Sequence, residues 1–116
     1  MKITVQQALQ AQNQLSQSQI ARCTGDAAIS IYFLRNDIKQ AFEKHFKDFD
    51  EAKGGTNELT DKQKDILEKD EKVTLTRGKL KLNDIKDHAT AVDLQLLEPF
   101  INFEPENENM KAVKKD

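Results

Sequence analysis

The sequence predicts an α+β protein that is mainly helical: a long antiparallel helical hairpin, a small β-hairpin of two or three strands, and a short C-terminal helix. Three observations carry this. Ala27, Ile31, Leu34, Ile38, Ala41, Phe42, His45 and Phe49 fall on one stripe at helical spacing. Two Thr-x-x-Gln patterns, Thr4 to Gln7 and Thr60 to Gln63, each precede apolar residues as capping boxes do. The stretch VTLTRGKLKL alternates apolar and polar residues about an Arg-Gly pair, the pattern of a strand, a tight turn and a strand.

Taken in order, Lys2 to Val5 reads as a short strand, and Val5, Ala8, Leu9 and Leu15 continue as a helix over residues 5–17. The polar run QSQ and the Thr24-Gly25 pair break that helix, and Asp26 is the expected N-cap of a second one ending at Gly54-Gly55. A helix over 26–52 is roughly 40 Å long at 1.5 Å per residue, so one end of it should project. Its C-terminal half has a narrow apolar seam, whereas AAISIYFL is apolar almost all round. Ile29 and Phe33 oppose the main stripe and Tyr32 sits between, so this face requires a cover: the hairpin, the last helix or another subunit.

A third helix over 61–70 should fold back on the second. With Arg77-Gly78 as the turn, Val73, Leu75, Leu80 and Leu82 share one face of the hairpin, while Thr74, Thr76, Lys79 and Lys81 share the other. Ile3 and Val5 are placed to add a third strand, since an isolated two-stranded hairpin is marginal in water. Thr90 caps a short helix bearing Val92, Leu94, Leu96 and Leu97, closed by Pro99. Residues 1–103 thus form one domain, and 104–116 read as a flexible polar tail.

The order of these features, with TAVDLQLLEPFI at 90–101 and VTLTRGKLKL before it, resembles a group of small, functionally uncharacterised proteins encoded by tailed bacteriophages. The resemblance covers most of residues 1–103 and its sharp motif is the twelve-residue closing segment. It implies a helical hairpin, a short β-pair and a closing segment, and it brings no catalytic residues. The Ser/Gln-rich first helix and the short loop between helices depart from the pattern.

Composition narrows the chemistry. A net charge of −2 gives no long-range attraction to nucleic acid or to an anionic membrane. No segment approaches the roughly 20 apolar residues that cross a bilayer, and the N-terminus lacks the apolar run of a signal peptide, so a cytoplasmic protein is expected, in the host cell if phage-encoded. Cys23 is the single cysteine, which excludes an intrachain disulfide and suits a reducing compartment. His45 and His88 share no metal-binding spacing, and no third group orients Cys23 as a nucleophile. DFDEAKGGTNEL at 48–59 fails as a calcium loop because Lys53 occupies the position that requires glycine. The glycines form no phosphate loop. No catalytic residue, cofactor or metal is therefore expected.

What remains is a non-enzymatic protein-interaction factor, a phage or prophage accessory protein. It would serve as a virion or assembly component, or as an inhibitor of a host protein. Ile29, Tyr32 and Phe33 are the candidate surface, and a homodimer through them is the expected self-association. The alternative is a small nucleic-acid-binding module using Arg77, Lys79 and Lys81 on the polar face of the hairpin. That row has no interleaved aromatic residue to stack a base.

Overall fold

The computed structural model describes residues 1–103, so the expected tail at 104–116 lies outside the described residues. Four short strands and five helices follow in the order β1 (Lys2–Thr4), α1 (Val5–Gln17), α2 (Gly25–Glu51), α3 (Asp61–Leu67), β2 (Asp70–Lys72), β3 (Leu80–Lys81), α4 (Leu82–Ile85), α5 (Ala91–Leu96) and β4 (Ile101–Asn102). Single 3₁₀ turns at Gln19–Arg22 and Glu98–Phe100 join α1 to α2 and α5 to β4. The protein is α+β and mainly helical, as the sequence predicts. Among the described residues no helix is long and apolar enough to cross a membrane.

Capping boxes start three of the five helices. Thr4 Oγ1 accepts from Gln7 N at 3.1 Å while Gln7 Oε1 accepts from Thr4 N at 2.8 Å, so two N–H groups that a helix start leaves unpaired are satisfied. Thr60 with Gln63 and Thr90 with Asp93 repeat the arrangement. For α2 the sequence expectation needs correction. Thr24 is the N-cap and Asp26 lies within the first turn, where its charge favours the helix dipole. Gly25, at φ 64°, occupies the left-handed region that redirects the chain out of the 3₁₀ turn.

The end of α2 differs as well. The helix stops at Glu51 and Gly54-Gly55 belong to the loop beyond it. Its last carbonyls are capped by side chains from the start of α3: Gln63 Nε2 donates to Phe49 O at 3.1 Å, and Thr60 Oγ1 donates to Ala52 O at 2.9 Å. One capping box therefore serves two helix ends and folds α3 back on α2.

The hairpin at 72–82 does not form. β2 pairs antiparallel with β1, Ile3 opposite Glu71, and the ladder continues through Val73 N to Met1 O at 2.7 Å. β3 pairs in parallel with β4, Leu80 opposite Ile101. The turn between β2 and β3 is centred on Thr76-Arg77, one residue earlier than expected, with Gly78 N donating to Leu75 O at 3.3 Å and Gly78 at φ 74°. The physical reason is Asp37. Its buried carboxylate accepts from Thr76 N at 2.7 Å and from Thr76 Oγ1 at 2.6 Å, which diverts this stretch from a strand ladder to α2. The amphipathic pattern survives without the hairpin: Val73 and Leu80 are buried, and Leu75 and Leu82 pack partly against the core.

The core runs through Val5, Ala8, Ala11 and Leu15 of α1, Ile31, Leu34, Ile38 and Phe42 of α2, and Leu97, Phe100 and Ile101 of the closing segment. Ala8 and Ala11 are fully buried and small, which lets α1 approach α2 closely. Within the closing segment Val92 faces solvent, and α5 packs on α1. Asp93 fixes that contact. It is fully buried, and its carboxylate accepts from Gln14 Nε2 at 2.6 Å, Ser18 Oγ at 2.7 Å and Thr90 N at 2.9 Å. Burial pushes this carboxyl up, but the hydrogen bonds from Ser18, Thr90 and Gln14 outweigh it and hold the group below its ordinary value of 3.8.

Two outcomes are expected from this packing. Phe100→Ala should cost about 3–5 kcal/mol of unfolding free energy in urea titration, and a variant with the parent's midpoint would contradict the burial of that ring. Because the folded-state titration of Asp93 is depressed, its stabilising contribution is complete above the unfolded-state value near 3.8 and is lost as pH falls through the lower folded-state value. Asp93→Asn should therefore be less stable than the parent at neutral pH and should lose less stability on acidification, read from thermal midpoints across that range.

Candidate functional site

On α2, successive residues turn by about 100°, so the buried Ile31, Leu34 and Ile38 leave Ile29 and Phe33 on the opposite side, with Tyr32 between the two on the flank toward α1. Ile29 is 44% and Tyr32 65% exposed, Phe33 is half-buried, and the two rings meet edge to face with centroids 5.4 Å apart at 84°. All three residues singled out from sequence thus form one apolar surface on continuous helix. The hairpin expected to cover this face does not form; Ile29 and Tyr32 face solvent, whereas Phe33 is partly covered.

Two elements border the surface. Along one edge runs the turn after β2, where Arg77 Nε donates to Ser30 Oγ at 3.3 Å. The latch between Asp37 and Thr76, one residue before Arg77, holds that turn on α2. Along the other edge runs α1, where Gln12 Nε2 donates to Arg35 O at 2.9 Å. Between α1 and α2 lies an open groove of about 240 Å³ lined by Gln12, Tyr32, Arg35, Asn36 and Lys39. A shallower depression of about 140 Å³ adjoins it toward the N-terminus of α2, lined in part by Cys23, Ala28 and Ile31 and sharing Tyr32 and Arg35.

The basic row expected from sequence is dispersed. With no hairpin there is no common polar face: Arg77 turns to α2, Lys79 is exposed in the segment before β3, and Lys81 stands in β3 beside β4. One of the three, Arg77, reaches the aromatic surface. Two further cations, Arg35 and Lys39, flank it, and sequence reading missed both because their neighbourhood depends on how α1 crosses α2. Their spacing of four residues on the exposed side of the helix was the available signal.

Other chemistry-bearing groups have structural partners. His45 Nε2 lies 3.0 Å from Glu71 Oε2 and links α2 to β2. Burial, and secondarily the charge of Asp84, push the Cys23 thiol up and keep it protonated. Asp48, Glu51 and Asp65 line a depression near the α2–α3 junction together with Lys62 and Lys69, so both charge signs are present there. Among the described residues no group of three or more histidine, cysteine, aspartate or glutamate side chains is placed to hold a metal ion. No protein-family model, curated protein or solved structure matches the chain.

The latch makes a measurable claim. Thr76→Val removes the hydroxyl donor from a buried carboxylate and should cost about 1–3 kcal/mol in urea titration, whereas Thr76→Ser should retain most of the stability. Equal midpoints for the valine variant and the parent would show that the turn is not held this way.

Proposed function

We propose that this protein is a non-catalytic binding factor that docks another protein on the Ile29, Tyr32 and Phe33 surface of α2. We place it among the small accessory proteins of tailed phages that its sequence resembles, acting as an assembly component or as an inhibitor of a host protein. The observation that carries the reading is the exposed Tyr32, edge to face with the half-buried Phe33, beside the exposed Ile29 on a helix whose opposite side is locked into the core. Contiguous apolar surface exposed on a rigid element marks an interaction site, and aromatic residues beside arginine are the side chains that anchor interfaces. The occupant is a different protein or a second copy of this chain.

One observation favours a second reading. Arg77 lies against the helix turn that carries the aromatic pair, which brings a cation beside stacking surfaces as single-stranded nucleic-acid sites do. The net charge of −2 opposes it.

A benzophenone amino acid at position 32, placed in the chain in cells that express it, should yield a discrete protein adduct on illumination. The same group at Lys64, exposed on α3, should not. Adding Phe33→Glu should lower the adduct yield by about tenfold, equivalent to roughly 1.4 kcal/mol, with helical circular dichroism unchanged. Equal adducts from positions 32 and 64 would refute the surface, and sedimentation of the complex identifies a second copy as partner if its mass is that of a dimer.

A further inference from the structure

Arg35 and Lys39 sit four residues apart on the exposed side of α2, a spacing at which like charges repel. Both line the groove beside Tyr32, and no carboxylate lines it with them. Neither cation makes an ion pair among the described residues, although the chain carries 20 acidic residues. Asp37, the nearest acidic residue in sequence, is committed to Thr76 on the other flank of the helix. Glu43 is one turn beyond Lys39 without pairing to it. Arg77 adds a third cation at the far edge of the aromatic pair. The surface is therefore apolar at its centre with cations along both sides, and the exposed Asp26, one turn before Ile29, stands at its N-terminal end.

Gln12 fixes the α1 wall of the groove: its Nε2 donates to Arg35 O, and its Oε1 is buried without a hydrogen-bond partner. The same groove on a second copy would bring two more cations and no carboxylate.

From this juxtaposition we infer that the occupant is an acidic segment of a different protein, with an apolar side chain seated on Tyr32 and Phe33 and an adjacent carboxylate entering the groove between Arg35 and Lys39. The inference rests on the docking reading above and specifies its partner. Charge complementarity of this kind sets partner choice and on-rate more than total affinity, so the preference weakens as salt rises.

The test uses the full chain and three fluorescein-labelled probes: an amphipathic helical peptide whose leucine face is rimmed by glutamates, its glutamine counterpart, and oligothymidylate of the same length. Anisotropy at low salt should show the glutamate peptide binding about tenfold tighter than the glutamine peptide. Arg35→Glu combined with Lys39→Glu should abolish that preference, with the circular dichroism spectrum checking that the helix persists. Because Tyr32 is the single tyrosine and the chain has no tryptophan, its emission should change on binding and so place the peptide at this surface. Equal affinity for both peptides, lost in Phe33→Glu, would overturn the acidic partner and leave the docking surface standing. Tighter binding of oligothymidylate would overturn it in favour of nucleic acid. Absence of binding by both peptides, or binding insensitive to Phe33→Glu, would remove the inference and the docking reading together.

Discussion

A helix of 27 residues in a chain of this size creates a covering problem, and the arrangement of every other element answers to it. The long axis of the molecule is 60 Å against 26 and 24 Å for the others, and α2 spans about 40 Å of helix at 1.5 Å per residue. Its C-terminal end is covered by α3, which needs little apolar surface because the seam there is narrow. Its N-terminal half is apolar almost all round, and α1 covers one side of it while the closing segment packs on α1. The turn after β2 reaches a flank. Ile29 and Tyr32 remain exposed on the face away from that cover, and Phe33 is partly covered.

Three polar side chains hold that arrangement in place of long sheets or disulfides. Asp93 joins α1 and the following turn to α5, Asp37 joins α2 to Thr76, and Gln63 joins the start of α3 to the end of α2. All three are buried, and burial of a polar group is unfavourable unless hydrogen bonds replace water. Each is therefore specific: a shifted register would strand a carboxylate or amide without partners, which costs more than a misplaced methyl group. This explains how strands of two or three residues, too short to choose partners by their own ladders, still take defined places.

The same devices prepare the candidate surface. Asp37 and Gln12 tie the backbone on its two borders to α2, so the helix turns that carry the aromatic pair are held in place. The residues that form the surface are distinct from those that form the core, though they alternate with them along one helix. Ile31 and Leu34 are buried in the core, while Ile29 and Tyr32 are exposed.

Four of the five helices were legible in the sequence because their causes are local, whereas α4 at Leu82–Ile85, whose start was read as strand, was missed. Thr4 with Gln7 and Thr60 with Gln63 satisfy their own helix ends within three residues, and the stripe from Ala27 to Phe42 follows from the helical repeat alone. The same repeat set Ile29, Tyr32 and Phe33 off that stripe, and of these Ile29 and Tyr32 are exposed while Phe33 is half-buried. Strand partners were not legible. VTLTRGKLKL carries a valid local hairpin pattern, and alternation reports which side chains face inward without reporting which strand lies alongside, so Val73 and Leu80 were placed in the core while their pairing was missed. A carboxylate on α2, 39 residues from Thr76, decided against the hairpin. The groove with its cations arose in the same way, since Gln12 and Arg35 meet only because α1 crosses α2 there. Local hydrogen bonding and periodicity set the elements and their apolar faces, whereas contacts between residues distant in sequence depend on the packed chain and were decided by tertiary structure alone.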